Sequence, residues 1–118
     1  MANHGLFIGF GFPVRGREAA ATRVFNEFVQ YLAGQQQAGA IADFEPAFLQ
    51  PHGGELSGFF LVRGDRQRLS ELAGSAEFER QMTRAQLIVE HFGVVNCWLG
   101  EEIGRQMGSF QEATADLA

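Results

Sequence analysis

The sequence predicts an α+β domain built as a split β-α-β unit around an antiparallel sheet. Three observations carry that reading. From His4 to Leu99 the apolar spacing runs strand, helix, strand, strand, helix, strand. The strands are apolar on more of their surface than one layer of helices covers. The chain has 118 residues, 46% hydrophobic and 19% charged, which suits one ordinary globular core.

The first strand is read from His4 to Phe12, HGLFIGFGF. Leu6, Ile8, Phe10 and Phe12 point one way; Phe7, Gly9 and Gly11 point the other. Glycines on one face let another group approach the backbone, and Pro13 ends the strand. The first helix is read from Gly16 to Leu32. Ala21, Val24, Phe25, Phe28, Val29 and Leu32 form its apolar stripe, with Arg23, Asn26, Glu27 and Gln30 opposite. The segment Gly34 to Gly39, with three glutamines, reads as the exit loop.

The second strand is read from Ala40 to Gln50. Ala42, Phe44, Pro46 and Phe48 share a face, Asp43 and Glu45 lie on the other, and the proline predicts an edge strand. Pro51-His52-Gly53-Gly54 is a turn. The third strand, Glu55 to Arg63, is apolar on both faces at its centre and reads as a central strand. Asp65 is a good N-cap for the second helical region, which Gly74-Ser75 interrupts after Leu69 and Leu72. Its main part carries Phe78, Met82, Ala85, Val89 and Phe92 at helical spacing up to Gly93. The fourth strand is Val94 to Leu99. Ile103, Met107, Phe110 and Leu117 then predict a short amphipathic tail helix, loosened by Gly104 and Gly108. Residues 1–100 form the domain on this reading and residues 101–118 its C-terminal helical tail.

This β-α-β-β-α-β order is the ferredoxin-like plan. With two apolar sheet faces, the chain resembles the dimeric α+β barrel superfamily, which includes YciI-like proteins, antibiotic-biosynthesis monooxygenases and stress-responsive barrel proteins. The resemblance covers about residues 4 to 100 and is one of plan and pattern. It implies a homodimer whose sheets pack face to face, with pockets between sheet and helices or inside the barrel. The Asp-His pair typical of YciI-like proteins has no counterpart here, so the resemblance carries architecture and no catalytic residue.

Composition removes several functions. A net charge of −5 and a pI near 5.1 argue against nucleic acid as a partner. No apolar run approaches the roughly 20 residues that span a bilayer. The start, Met1-Ala2-Asn3-His4-Gly5, lacks the pattern of a secretion signal. With a lone cysteine, Cys97, a cytoplasmic protein is expected. All nine basic side chains are arginine, which removes lysine Schiff-base chemistry and the P-loop lysine. Gly9-Phe10-Gly11 is no dinucleotide fingerprint, because Val14 stands where the third glycine belongs. No cofactor is expected. Twelve Phe against one Tyr and one Trp suit a dry core or an apolar pocket.

Two places are candidates for a site. Alternating strand direction brings Arg15, Arg17, His52, Glu55 and His91 to one end, beside the N-terminus of the first helix. That end reads either as a holder for a carboxylate or phosphate, or as a solvated rim. A metal reading has only His52, His91 and Glu55 to draw on, without the short paired spacing of a metal site, and none is expected. The other place is the sheet face away from the helices. On the fourth strand Val95, Cys97 and Leu99 are uniformly apolar and are expected to face the helices; Asn96 and Trp98 then face a partner sheet or barrel cavity. They read either as a platform for a flat organic molecule or as interface plugs. Asp43 and Glu45, two residues apart, are either a general base with its neighbour or charges guarding an edge strand. Cys97 reads as a small core residue.

No motif specifies a reaction. The expectation is a homodimer that binds a small, partly apolar molecule with room for an anionic group. The alternatives are a cofactor-independent enzyme of the monooxygenase type and an assembly module without a ligand.

Overall fold

The computed structural model describes residues 2–117. Met1, where the leader reading starts, and Ala118, where the tail ends, lie outside them. The elements follow in the order β1 (His4–Phe10), α1 (Glu18–Gln37), β2 (Asp43–Phe48), β3 (Gly58–Gly64), α2 (Arg66–Ala73), α3 (Ala76–Gln86), β4 (Gly93–Trp98) and α4 (Glu101–Thr114). The strands form one antiparallel sheet in the order β2-β3-β1-β4. The fold is therefore the ferredoxin-like α+β plan, followed by one more helix. No helix among the described residues is long and apolar enough to cross a membrane.

The core lies between one face of the sheet and α1, α2 and α3. Leu6, Ile8, Phe60 and Val62 from the central strands pack against Phe28 and Leu32 of α1, Leu69 and Leu72 of α2 and Phe78 of α3. Pro46 sits in β2 at the sheet edge, where a missing N–H costs no ladder bond. Asp65 and Ser75 cap α2 and α3 by accepting from the Arg68 and Phe78 N–H groups.

Several boundaries differ from the sequence reading. α1 continues through the glutamines to Gln37, because glutamine is a good helix former. It stops where Gly39 adopts a φ of +81° that suits glycine. β1 stops at Phe10, and the second main helix stops at Gln86 rather than reaching Phe92. The same contact ends both. The Glu90 and Val14 N–H groups donate to the Phe12 and Ile88 carbonyls, and Pro13 bridges Val89. Val89 and Phe92 keep their apolar character but lie on this crossing, outside the helix.

The largest correction concerns β4. Leu6 pairs with Asn96, Ile8 with Val94 and His4 with Trp98. Directly paired residues share a face of an antiparallel sheet, and Leu6 and Ile8 face the core. Asn96 and Trp98 therefore lie on the helix side, and Val95 and Cys97 on the other, the reverse of the expectation. Gly5 explains the register: Cys97 and Leu99 occupy the space where its Cβ would stand.

That second sheet face carries Phe7, Phe59, Leu61, Val95 and Cys97. Phe7 and Phe59 stack with centroids 5.0 Å apart. α4 makes little contact with the other described elements, and the molecule is elongated, 53 × 38 × 23 Å, with a radius of gyration of 16.3 Å. A compact domain of this length has about 13–14 Å. Along α4, Ile103, Met107 and Phe110 are exposed on the side that also borders Trp98. Beside them, Glu102 is buried and accepts from Arg105 and Gln106. The Gln106 bond outweighs a desolvation cost; helped by Arg105 and His4, it holds the Glu102 carboxyl below its usual range.

Candidate functional site

Between the sheet and helices α1 and α3 lies a cavity of about 800 Å³. Its floor is Ile8 and Phe10 of β1 with Phe60 of β3; Val24, Phe25 and Phe28 of α1 form one wall and Met82 and Ala85 of α3 another. The aromatic rings are arrayed rather than interleaved. Phe25 stands 5.0 Å from both Phe48 and Phe60, and Phe28 meets Phe60 edge-on at 4.9 Å. Phe48, 71% exposed, holds the mouth together with the loop from Leu49 to Ser57.

The mouth is built where three chain segments cross. The Gly11 N–H donates to the Glu90 carbonyl at 2.7 Å, and the Ser57 N–H to the Phe10 carbonyl at 2.8 Å. A Cβ on Gly11 would meet the Glu90 and Glu55 carbonyl oxygens at 2.8 and 2.9 Å. Both are backbone atoms, so neither yields as a side-chain tip does. Gly11→Ala is expected to lower stability by about 1–3 kcal/mol, measured by urea unfolding. A neutral result would show that the crossing is loose.

His52 lines this mouth, with both ring nitrogens engaged by its own loop. Its Nε2 donates to the Leu56 carbonyl at 2.8 Å, and its Nδ1 accepts from the Gly54 N–H at 3.2 Å. The ring is in the tautomer with the proton on Nε2, and it pins the loop. His91 is nearby in topology, with a left-handed φ of 53° and Nδ1 3.5 Å from Glu55 Oε2. Both side chains of that pair are more than half exposed. No group of three metal-ligating side chains forms among the described residues.

Arg15 and Arg17 are exposed and lie outside the cavity lining. Arg17 is the N-cap residue of α1 without a capping side-chain bond. The amide end of that helix already meets a carboxylate of the chain itself, since the Gly16 N–H donates to Glu18 Oε2 at 3.2 Å. Glu45 and Asp43 lie on the second sheet face, and both accept from Arg63, at 2.8 and 3.0 Å. Asn96 is exposed on β4. Trp98, 56% exposed, borders a separate groove along α4 with Ile103, Met107 and Phe110. Burial pushes the Cys97 thiol up, against a weaker pull from Arg63, so it is no ready nucleophile.

Of the candidate side chains singled out from the sequence, the cavity lining includes His52. The aromatic lining was legible only as an excess of Phe. Gln81 was missed altogether. It stands between Phe78 and Met82 on the apolar side of α3 and is 6% exposed. A polar residue at a core position of a helical stripe is the signal that would have found it.

No protein-family model matches the chain, and no curated protein matches it. Solved structures do. A dimeric ferredoxin-like protein from Jannaschia sp. CCS1 superposes with a TM-score of 0.61 at 13% identity, over 82% of this chain and 98% of that one. A dimeric protein of ferredoxin-like fold from Bacteroides fragilis gives 0.59 at 11% identity, over 81% and 96%. SnoaB, a cofactor-independent oxygenase from Streptomyces nogalater, gives 0.57 at 13% identity, over 85% and 96%. The likeness is one of fold: this chain shares the ferredoxin-like α+β architecture.

Proposed function

We propose that the chain is a homodimeric α+β barrel protein that binds a small apolar molecule between its sheet and helices α1 and α3. The observation that carries the binding is the cavity of about 800 Å³, within the usual range of ligand sites. Its lining favours binding over catalysis. The described lining residues include no carboxylate, thiol or arginine, and the one imidazole, that of His52, is held by its own loop.

The dimer is supported by surfaces that one chain leaves bare. Val95 is 58% exposed beside the partly buried Phe7, Phe59 and Leu61, and Met107 and Phe110 are 59% and 68% exposed on α4. Apolar patches of more than a few hundred Å² are uncommon on monomers. Joining sheet faces, with the 101–118 tail added, fits an obligate interface above about 2,000 Å² in total. The dimeric neighbours in fold agree with this reading.

The binding reading is tested by plugging the cavity. Ala85, on its α3 wall, is half-buried. Ala85→Trp places an indole in the empty space and is expected to abolish uptake of pyrene while leaving the melting temperature equal or higher. Native mass spectrometry and pyrene fluorescence read the result. Equal uptake by the plugged variant would place the binding elsewhere and remove this function.

A further inference from the structure

One side chain governs the loop at the mouth of the cavity. Between β2 and β3 that loop is anchored at its base. The Leu49 N–H donates to the Ser57 carbonyl at 2.9 Å, and the Ser57 N–H to the Phe10 carbonyl at 2.8 Å. Beyond the base, the hydrogen bonds that hold residues 50–56 are, among the described residues, the two made by the His52 ring. The ring lies directly on the backbone: a Cβ on Gly54 would stand 2.6 Å from its Cε1 and 2.9 Å from its Nδ1. Gln50, Pro51, Gly53, Gly54 and Leu56 line the cavity, so the ring that shapes this loop also shapes the opening.

Resting on the proposed binding function, we infer that His52 is a proton-sensitive latch on the cavity mouth. Neutral, it holds the loop; protonated, it frees the loop and opens the way for the ligand. The two bonds coexist in one protonation state only. Nε2 must carry a proton to donate to the Leu56 carbonyl, and Nδ1 must be bare to accept from the Gly54 N–H. An added proton goes to Nδ1 and sets one N–H against another, so the Gly54 bond is lost. Histidine is the side chain that ordinarily changes charge between about pH 5 and 8. The latch is therefore closed at the alkaline end of that range and lost toward the acid end. The other titratable groups of the mouth are Glu55 in the same loop and, from the segment between α3 and β4, Glu90 and His91. Among the described residues none of them forms an ion pair with His52. The described lining residues from β1, α1, β2, β3 and α3 carry no charged side chain, and Arg15 and Arg17 stand outside the lining. A proton on His91 acts in the opposite sense, drawing in Glu55 from 3.5 Å, but so exposed a pair is worth little.

Two measurements on the intact protein, from about pH 8 to about pH 5.5, test the latch and the gate separately. In the ¹⁵N-labelled protein without added ligand, the Gly54 amide resonance is expected to move together with the His52 ring signals. In His52→Asn, whose side-chain oxygen accepts from the N–H two residues on without titrating, that movement is expected to vanish. The second measurement is stopped-flow release of bound pyrene into excess cyclodextrin. Release from the wild-type protein is expected to be about three- to tenfold faster at the acid end, the effect of one hydrogen bond. His52→Asn is expected to release pyrene at one rate throughout, and His91→Gln to keep the acid acceleration. A Gly54 amide that ignores the His52 titration overturns the latch. A moving amide with a flat release rate overturns the gate while leaving the cavity as a binding site. An acceleration kept by His52→Asn and lost in His91→Gln overturns the assignment to His52. Absence of bound pyrene at every pH removes the binding function and the gate with it.

Discussion

Val95→Asp is expected to break the proposed homodimer into folded monomers. Val95 lies on the second sheet face and is 58% exposed in the single chain, so an aspartate there stays hydrated until two faces meet. Its partner across β1 is Phe7, which stacks on Phe59 at 5.0 Å. On dimerisation the carboxylate would be buried beside these apolar groups, while Arg63, the cation of this face, is already bound to Asp43 and Glu45. An unpaired buried charge costs about 3–5 kcal/mol, a rise in dissociation constant of about two to three powers of ten or more. Twofold symmetry places that carboxylate in each protomer, which adds to the effect. Sedimentation equilibrium at micromolar protein reads the outcome, with circular dichroism to show that the monomer keeps its fold. A variant that remains dimeric would move the interface off this face; a monomeric wild-type protein would remove the dimer.

Phe60→Ala is expected to cost about 3–5 kcal/mol of stability, a large share of the roughly 5–15 kcal/mol available to a domain. Phe60 is 3% exposed on the central strand β3, with Phe28 at 4.9 Å, Phe25 at 5.0 Å and Phe10 at 6.2 Å. Removing its ring takes one face from three others. The void would join the existing cavity, so the surroundings cannot collapse to fill it, and the loss should lie toward the upper end. The same geometry predicts partial rescue. A ring-bearing ligand that binds the native state stabilises it by mass action, so saturating pyrene should raise the urea midpoint of the variant. Protomer concentration is held fixed, because a dimer's stability depends on it. A loss below about 1 kcal/mol would mean that the aromatic cluster repacks.

Much of the architecture was legible because helix and strand periods differ. The stripe of Val24, Phe28 and Leu32 specified α1, and all three are buried. Pro46 marked an edge strand and the two-sided apolar β3 a central one, and both stand so in the sheet. Boundaries were less legible where a tertiary contact ends an element. Nothing local in Val89 or Phe92 says that the chain leaves its helix at Gln86. It leaves because Phe12 and Val14 offer backbone partners from the far end of the sequence.

The site divides along the same line. An excess of phenylalanine and a polar Gln81 inside an apolar stripe are properties of the sequence. That these rings cluster beside a cavity of about 800 Å³ depends on how α1 and α3 sit over the sheet. The face of β4 shows the limit most clearly. Val94, Val95, Cys97, Trp98 and Leu99 make both sides of the strand apolar, so hydrophobicity does not choose between two registers one residue apart. A shift of one residue exchanges the faces. The sequence by itself determined the order of elements and the surplus of apolar surface that calls for a partner. Only the tertiary structure decided which side chains bear that surface, because Gly5 leaves room for Cys97 and Leu99 on that side and Leu6 pairs with Asn96 on the other.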